Sequence, residues 1–250
     1  MPQAPTQLQF LGHASFRLTT PEGRIVLIDP WLNHNPFLPE ALRPLFDAAD
    51  LVLQTHGHGD HFDAELLARL TRTGARVAAP APMRLYLGRQ GVPAEQLEPM
   101  NVGGSVPVHE LELTMTRAHH PAHIDLPDGG TDCPHESVGF VVRCSDGVVL
   151  YAAGDTAVFG DMRLLAELYQ PTVALLPTGG RYTMGPREAA YAARLLGAPL
   201  VVPFHYGTYP SLTGTPEQLR AALPPEAGIT VQVLQAGETL RLPAPASAQV

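Results

Sequence analysis

The segment "THGHGDH" at positions 55–61 places three histidines and one aspartate within seven residues, directly after a short apolar run. In an extended backbone His56 and His58 point to the same side, so both can bind one metal ion. Asp60 and His61 follow where the chain turns toward the next helix, and they can face a second ion. The sequence therefore predicts a metal site at the end of a buried strand.

Three further apolar segments also end in metal-binding residue types. Asp155 follows "VVLYAAG", His205 follows "LVVPF", and the pair His119 and His120 follows "LTMTRA". Side chains at the ends of neighbouring strands can converge at one edge of a sheet. Imidazole and carboxylate ligands suit zinc, manganese, iron or nickel, and the candidates exceed the four ligands of a tetrahedral ion. We therefore predict two divalent ions that share a bridging carboxylate.

The elements that must position these residues alternate between strands and helices. Short strands occupy the first fifty residues, and strand–helix patterns lie on both sides of a β-rich middle that begins near residue 102. This order suits two packed sheets with helices outside. We predict an α/β chain with one domain over residues 1–241 and a disordered tail over residues 242–250.

The composition excludes several function classes. The net charge is −8 and the chain contains no lysine, so a lysine Schiff base is excluded and nucleic-acid binding is disfavoured. Cys133 and Cys144 form no C-x-x-C pair, which argues against a zinc ribbon or a thioredoxin-like centre. Neither a signal peptide nor an apolar stretch long enough for a membrane span is evident. We expect a cytoplasmic protein that binds neither nucleic acid nor membrane.

Several motifs together resemble one protein family. "THGHGDH", a mid-chain histidine, "GDT" at 154–156 and "PFHYG" at 203–207 follow the motif order of the metallo-β-lactamase superfamily. "FLGHASF", "IDPWL", "GDTAVFGDM" and "GGRYTMGPREAA" resemble uncharacterised metal-dependent hydrolases related to the ascorbate-6-phosphate lactonases. The resemblance implies a four-layer αββα sandwich of two mixed β-sheets flanked by helices.

The resemblance also implies a role for each candidate ligand. His56, His58 and a mid-chain histidine would hold the first ion, and Asp155 would bridge the two. The mid-chain ligand would be His120, with His119 as the alternative, because related sequences carry an aromatic residue just before this ligand. The ligands of the second ion would be Asp60, His61 and His205.

A metal-bound hydroxide that attacks an ester is the predicted chemistry. Two dications outweigh the charges of Asp60 and Asp155, which favours a small anionic ester, either a lactone or a phosphodiester. Asp60 is the candidate for proton transfer to the leaving group. The candidates for substrate binding are Arg181, Tyr182, Tyr206 and His13, and His13 can alternatively orient a metal ligand.

Other functions stay open as alternatives. A thioester hydrolase of the glyoxalase II type is the main alternative enzyme, while a nuclease lacks the basic patches it needs. A metal- or ligand-binding sensor without catalysis is the alternative outside the enzymes. The expected partners are a small anionic substrate and, as an open alternative to a monomer, further copies of the chain.

Overall fold

Two seven-stranded sheets form the centre of the molecule. The structure is a computed structural model that describes residues 4–126 and 128–242. The first sheet contains β1 (Gln7–Gly12), β2 (Ser15–Thr19), β3 (Ile25–Ile28), β4 (Leu51–Leu53), β5 (Arg76–Pro80) and β6 (Leu97–Met100). The second sheet contains β7 (Ser105–Val108), β8 (Leu111–Asp125), β9 (Thr131–Arg143), β10 (Val149–Ala152), β11 (Val173–Pro177), β12 (Leu200–Phe204) and β13 (Thr230–Val231). A last strand, β14 (Thr239–Arg241), returns to the first sheet.

Both sheets are mixed. In the first sheet β14, β1, β2 and β3 pair antiparallel, whereas β3, β4, β5 and β6 pair parallel. In the second sheet β7 to β10 pair antiparallel, whereas β10 to β13 pair parallel. All residues of the central parallel strands β4, β10 and β11 are buried, as expected for strands covered on both faces. Histidines or aspartates follow the carboxyl ends of β4, β10 and the neighbouring β12 in the sequence.

Helices cover the outer face of each sheet. They are α1 (Ala64–Arg72), α2 (Met83–Arg89), α3 (Met162–Tyr169), α4 (Pro186–Leu196) and α5 (Pro216–Ala222), with short 3-10 helices at Glu40–Phe46, Ala94–Gln96 and Pro225–Ala227. α1 and α2 pack on the first sheet, α4 and α5 contact the second, and α3 packs beside α4. The predicted four-layer αββα sandwich is therefore confirmed.

The helix ends follow local sequence signals. The Asp63 side chain accepts a hydrogen bond from the backbone N–H of Leu66 and begins α1. Thr215 and Gln218 form a reciprocal capping box at the start of α5, where the sequence predicts Thr215 as N-cap. Gly197 ends α4 in a left-handed conformation.

The main core lies between the two sheets. Leu18, Leu51, Phe140, Leu150 and Val202 are buried in it, and two further clusters lie between each sheet and its helices. Full burial of one such side chain contributes about 1.5–3 kcal/mol. The helices and sheets are thereby held as a rigid frame around the strand ends.

The end of the chain differs from its prediction. The alternating segment "ITVQVLQ" at 229–235 is typical of one longer strand, but only Thr230–Val231 forms a strand, β13, and β14 follows at Thr239–Arg241. A three-residue segment is too short to show a strand period, and its pairing with β1 arises from tertiary structure. Leu242 is buried, and residues 243–250 of the predicted tail lie outside the described residues. Among the described helices none is long and apolar enough to cross a membrane.

Candidate metal centre

The carboxyl ends of the central strands of both sheets meet at one edge of the sandwich. "THGHGDH" follows β4 in the first sheet, while Asp155 and His205 follow β10 and β12 in the second. His120 lies within the long strand β8, and His13 lies in the turn between β1 and β2. Five separate parts of the chain therefore contribute side chains to one place.

The first donor group consists of His56, His58 and His120, whose ligand atoms all lie within 4.8 Å of one another. His120 Nε2 lies 3.2 Å from His58 Nδ1. His56 is fully buried, and its Nδ1 lies 2.9 Å from the hydroxyl oxygen of Thr55. Three imidazoles in this arrangement suit a borderline cation such as zinc.

The second donor group consists of His13, Asp60, His61 and His205, again with ligand atoms within 4.8 Å of one another. Asp60 Oδ2 lies 3.0 Å from His13 Nε2 and 3.7 Å from His205 Nε2. The side chains of His61 and His205 are buried, and that of Asp60 is 26% exposed. Asp60 is thus the member that can meet a molecule from solvent.

Asp155 lies between the two donor groups. One of its carboxylate oxygens is 3.3 Å from His61 Nε2, and the other is 3.3 Å from His205 Nε2. The second oxygen also lies 3.8 Å from His120 Nε2 and 3.9 Å from His56 Nε2. Asp155 therefore faces histidines of both donor groups.

Hydrogen bonds fix which nitrogen of two buried imidazoles faces the centre. The Thr55 hydroxyl donates to Asp29 Oδ2 at 2.6 Å, so its oxygen is left to accept from His56 Nδ1–H. His61 Nδ1 donates to the same Asp29 oxygen at 2.9 Å. The Nε2 atoms of His56 and His61 are therefore directed to the centre, and neither forms a hydrogen bond within the described residues. Buried polar atoms without a partner are costly, and a bound cation would satisfy them.

Burial and neighbouring charges set the protonation of the donors. Burial holds the pKa of His56 well below its ordinary value and lowers that of His58 to about 4, so both are neutral. Burial acts to raise the pKa of Asp155, but His205 and His61 outweigh it and hold that pKa well below the ordinary value. Neutral imidazoles beside an ionised carboxylate are the ligand forms that divalent metals need.

His61 and His205 behave differently in the metal-free centre. Burial acts to lower the pKa of His205, but the Asp155 carboxylate outweighs it and raises that pKa to about 9. Asp155 likewise raises the pKa of His61 well above its ordinary value against the effect of burial. Protons on these rings stabilise the anionic centre in place of metal ions.

Asp29 is a residue of the centre that the sequence analysis did not assign. It follows β3 in "IDPW" and is buried, with its carboxylate accepting from Thr55 N–H, Thr55 Oγ1, Gln54 Nε2 and His61. These bonds tie the end of β3 to the loop after β4. Asp29 follows β3 just as Asp155 closely follows β10, so its position after a buried strand was a signal that could have identified it.

Gly57 lets the "THGHGDH" loop at 55–61 lie against the β8–β9 hairpin. A Cβ at this position would lie 2.5 Å from Ile124 Cγ1 and 2.8 Å from the carbonyl oxygen of His123. Gly59 has more room, since its nearest neighbour would be Asp125 Oδ2 at 3.3 Å. The backbone of the first sheet's loop therefore approaches the second sheet closely at position 57.

The structure separates the two mid-chain histidines. His120 lies with His56 and His58, as preferred from the sequence. The alternative, His119, is exposed and stacks on Phe159 with ring centroids 4.8 Å apart. His119 thus occupies an aromatic role outside the donor groups.

A pocket of 460 Å³ opens onto the second donor group. It is lined by Asp60, Tyr182, His205, Tyr209, Pro210 and Ser211. Tyr182 is thus placed where the sequence predicts a substrate contact, and Tyr209 and Ser211 were missed because they follow the motif "PFHYG" in an irregular loop.

The other three predicted substrate residues, Arg181, Tyr206 and His13, do not line this pocket, and His13 belongs to the second donor group. Arg181 lines a separate depression with Val158 and Met184, and its guanidinium lies over the Tyr182 ring at 5.5 Å. Burial raises the pKa of Tyr206, with Glu217 of α5 as a further cause. Tyr206 therefore lies near α5, while its neighbour Tyr209 takes the place beside Asp60.

A larger pocket of 570 Å³ lies beside the "THGHGDH" loop. Gly57 and Gly59 form part of its wall, together with the aromatic side chains of Trp31, Phe62 and Tyr86. No histidine of either donor group lines it. The pocket beside Asp60 is therefore the better candidate for the reacting group of a substrate.

Comparison with known proteins gives consistent matches. A family model described as beta-lactamase superfamily domain matches residues 24–206. A UPF0173 metal-dependent hydrolase of Rubrobacter xylanophilus is 49% identical over 237 residues, which cover 94% of this chain and 96% of the relative. A UPF0173 metal-dependent hydrolase of Herpetosiphon aurantiacus is 41% identical, and the match covers 96% of this chain and 100% of the relative. The solved structure of Igni18, a metallo hydrolase from Ignicoccus hospitalis, is 32% identical with a TM-score of 0.79, and the match covers 95% of this chain and 98% of that one.

Proposed function

Since the chain belongs to the beta-lactamase superfamily and is a metal-dependent hydrolase, we propose that it uses two divalent ions to cleave a small anionic ester, either a lactone or a phosphodiester. The metals in question are zinc, manganese, nickel or iron. The observation that carries this proposal is the pair of donor groups on either side of Asp155.

The donor sets divide naturally between two ions. His56, His58 and His120 would hold the first ion, and Asp60, His61 and His205 the second. Asp155 would bridge them, because its two oxygens face histidines of both groups at 3.3–3.9 Å. With Asp155 counted, each ion would therefore have four protein ligands.

The side chains around the pocket have separable roles in the reaction. Divalent ions held by these residues would activate water near neutral pH and polarise the bond under attack. Asp60, which reaches the pocket, would accept the proton released by the attacking water and pass it to the leaving group. Tyr182, Tyr209 and Ser211 line the same pocket, and their hydroxyls would donate hydrogen bonds to the substrate's oxygens.

Charge favours an anionic substrate. Two dications bring four positive charges, and the carboxylates of Asp60 and Asp155 neutralise two of them. A bound hydroxide would remove one more, and a net positive charge from these groups would be left beside the pocket. The buried Asp29 lies behind His61, and burial raises its pKa. The lining of this pocket contains no arginine, so the attraction would come from the ions rather than from Arg181.

A substrate screen on the metal-loaded chain tests this proposal. The purified protein is loaded with Zn²⁺, Mn²⁺, Ni²⁺ or Fe²⁺ and assayed against lactones, phosphodiesters and thioesters, each as an anionic and a neutral version. We expect hydrolysis of an anionic lactone or phosphodiester at two ions per chain. His58→Ala should abolish it, while the exposed His109→Asn should not.

The other outcomes separate the alternatives. A saturated stoichiometry below two ions contradicts the binuclear site. Preference for thioesters supports the glyoxalase II type, and two bound ions with no turnover of any substrate class support a sensor. Equal rates on neutral and anionic versions contradict the charge argument.

A further inference from the structure

His13 occupies a backbone position that ties it to the second donor group. It lies in the turn between β1 and β2 with a φ of 51°, in the left-handed region that non-glycine residues rarely adopt. Its carbonyl oxygen accepts the backbone N–H of His205 at 2.9 Å, and His205 itself has a φ of 55°. The two ring centroids are 4.3 Å apart. The hairpin turn and the end of β12 therefore present two imidazoles as one unit.

The hydrogen bonds of the His13 ring match those of His56, another buried histidine of the centre. His13 Nδ1 lies 2.9 Å from Thr208 Oγ1, and the Thr208 hydroxyl donates to the carbonyl oxygen of Tyr206. The Thr208 oxygen is thus left to accept from His13 Nδ1–H, which leaves the lone pair on Nε2. His56 is oriented in the same way by Thr55. This outer partner on one nitrogen is typical of a histidine whose other nitrogen binds metal.

The free nitrogen of His13 faces the second donor group. Nε2 lies 3.0 Å from Asp60 Oδ2, and the side chain is only 1% exposed. In this tautomer both atoms carry lone pairs, so a cation between them is needed to make the contact favourable. The ligand atoms of His13, Asp60, His61 and His205 all lie within 4.8 Å of one another, so small side-chain shifts bring all four onto one ion.

We propose that His13 is a direct ligand of the second ion, which is then held by His13, Asp60, His61 and His205 in addition to the bridge from Asp155. This inference rests on the two-ion proposal above. It distinguishes the two ions, because the second has one more protein ligand than the first. The competing role is that of a positioning residue, in which His13 Nε2–H donates to Asp60 and binds no metal.

A His13→Gln substitution separates the two roles. The glutamine amide can still donate to Asp60 from about the position of Nε2, but it is a poor ligand for zinc or cobalt. If His13 binds the ion, the affinity for the second Zn²⁺ falls by more than about 100-fold, beyond the 10–100-fold loss typical of an outer partner. With Co²⁺ in both positions, the number of paramagnetically shifted imidazole N–H resonances falls by one. The exposed His109→Gln serves as matched control.

The spectroscopic count decides the outcome. An unchanged number of shifted N–H resonances in the Gln variant overturns the proposal, whatever the change in affinity. If the wild-type chain binds only one Zn²⁺, both the two-ion proposal and the ligand role of His13 are overturned. If the wild-type chain binds two Zn²⁺ and His13→Gln behaves in the same way, only the ligand role of His13 is overturned. If the Gln variant does not fold, as judged by near-UV circular dichroism, His13→Gly with added imidazole replaces it. Restored affinity is then expected, and no restoration contradicts the ligand role.

Discussion

The two sheets supply the centre in different ways. The first sheet provides His56, His58, Asp60 and His61 from one loop after β4. The second provides His120, Asp155 and His205 from three elements that are far apart in the sequence. A loop keeps its donors together through chain connectivity, whereas dispersed donors meet only if strand order and register are correct. The grouping of the first set of donors can therefore be inferred from the local sequence, whereas the grouping of the second set depends on the whole fold.

Removing the charge of Asp155 should have the largest effect, since this residue joins the contributions of the two sheets. Asp155→Asn preserves the shape but removes the anion that faces four histidines. We expect loss of at least one bound ion and a fall in hydrolysis of about 10²–10³-fold or more, as for removal of a strong charge-stabilising group. Metal analysis and initial rates measure this. The exposed Asp161→Asn, in the loop that follows, is the control, and equal behaviour of the two variants would remove Asp155 from the centre.

The next effect concerns Asp29, whose carboxylate accepts hydrogen bonds from the loop that follows β4. Asp29→Asn leaves some of the four donors around the carboxylate without an acceptor. The expected losses are about 10–100-fold in metal affinity and about 1–3 kcal/mol in the free energy of unfolding. Chelator competition and urea denaturation measure them.

The matched control lies at the other end of the same strands. Asp50 accepts the backbone N–H of Ile25 at 2.8 Å, before β4 rather than after β3. Asp50→Asn should lower stability without changing metal affinity. Should both variants bind metal like the wild type, the Asp29–His61 hydrogen bond would have no part in the centre.

A smaller effect is expected where the two sheets touch at Gly57. Gly57→Ala would drive a Cβ into Ile124 and the His123 carbonyl, so the loop or the hairpin must shift. We expect a destabilisation of about 1–3 kcal/mol together with weaker metal binding. Gly59→Ala should cost less, because its closest contact is one carboxylate oxygen at 3.3 Å. Thermal unfolding of both variants ranks them, and the opposite order would contradict the close approach at position 57.

The last effect is a pH dependence of the metal-free chain. The folded pKa of His205 is raised to about 9, so its contribution is complete below the unfolded value of about 6.5 and is lost as pH rises through about 9. His61 acts in the same direction. The free energy of unfolding should therefore fall across this window without metal, and change less with metal, because ions replace the protons. Urea titrations with and without chelator measure the difference.

His58 provides an internal contrast to this pH dependence. Its folded pKa is lowered to about 4, so it holds no proton in either state above about pH 6.5. His205→Asn should therefore flatten the pH dependence, whereas His58→Asn should leave its slope in place. If the free energy of unfolding of His205→Asn still falls with pH as in the wild type, groups other than His205 cause the pH dependence.

The layer architecture and most strands could be predicted because their patterns are local. Continuous apolar runs such as Leu51–Leu53 and Val173–Pro177 indicate buried parallel strands, and caps such as Thr215 mark where helices begin. The strand β14 could not be predicted in this way, because three residues carry no clear period. Its partner, β1, lies at the other end of the chain.

The pocket beside Asp60 shows the limit of inference from motifs. Arg181 and Tyr206 have suitable chemistry, yet neither lines this pocket. Tyr209 lines it instead, in the same irregular loop as His205, whose φ is 55°. The direction of a side chain in an irregular loop depends on such backbone angles, which composition and spacing do not encode.

By itself, the sequence determined the family, the layer order and the residue types that gather at the strand ends. These follow from local hydrophobic periods, from short motifs and from the order of the elements along the chain. The tertiary structure alone decided that His120 rather than His119 faces His58, that Asp29 supports His61, and that His13 reaches Asp60. Each of these contacts joins positions separated by 32 to 62 residues, so each depends on how the strands pair and how the two sheets pack.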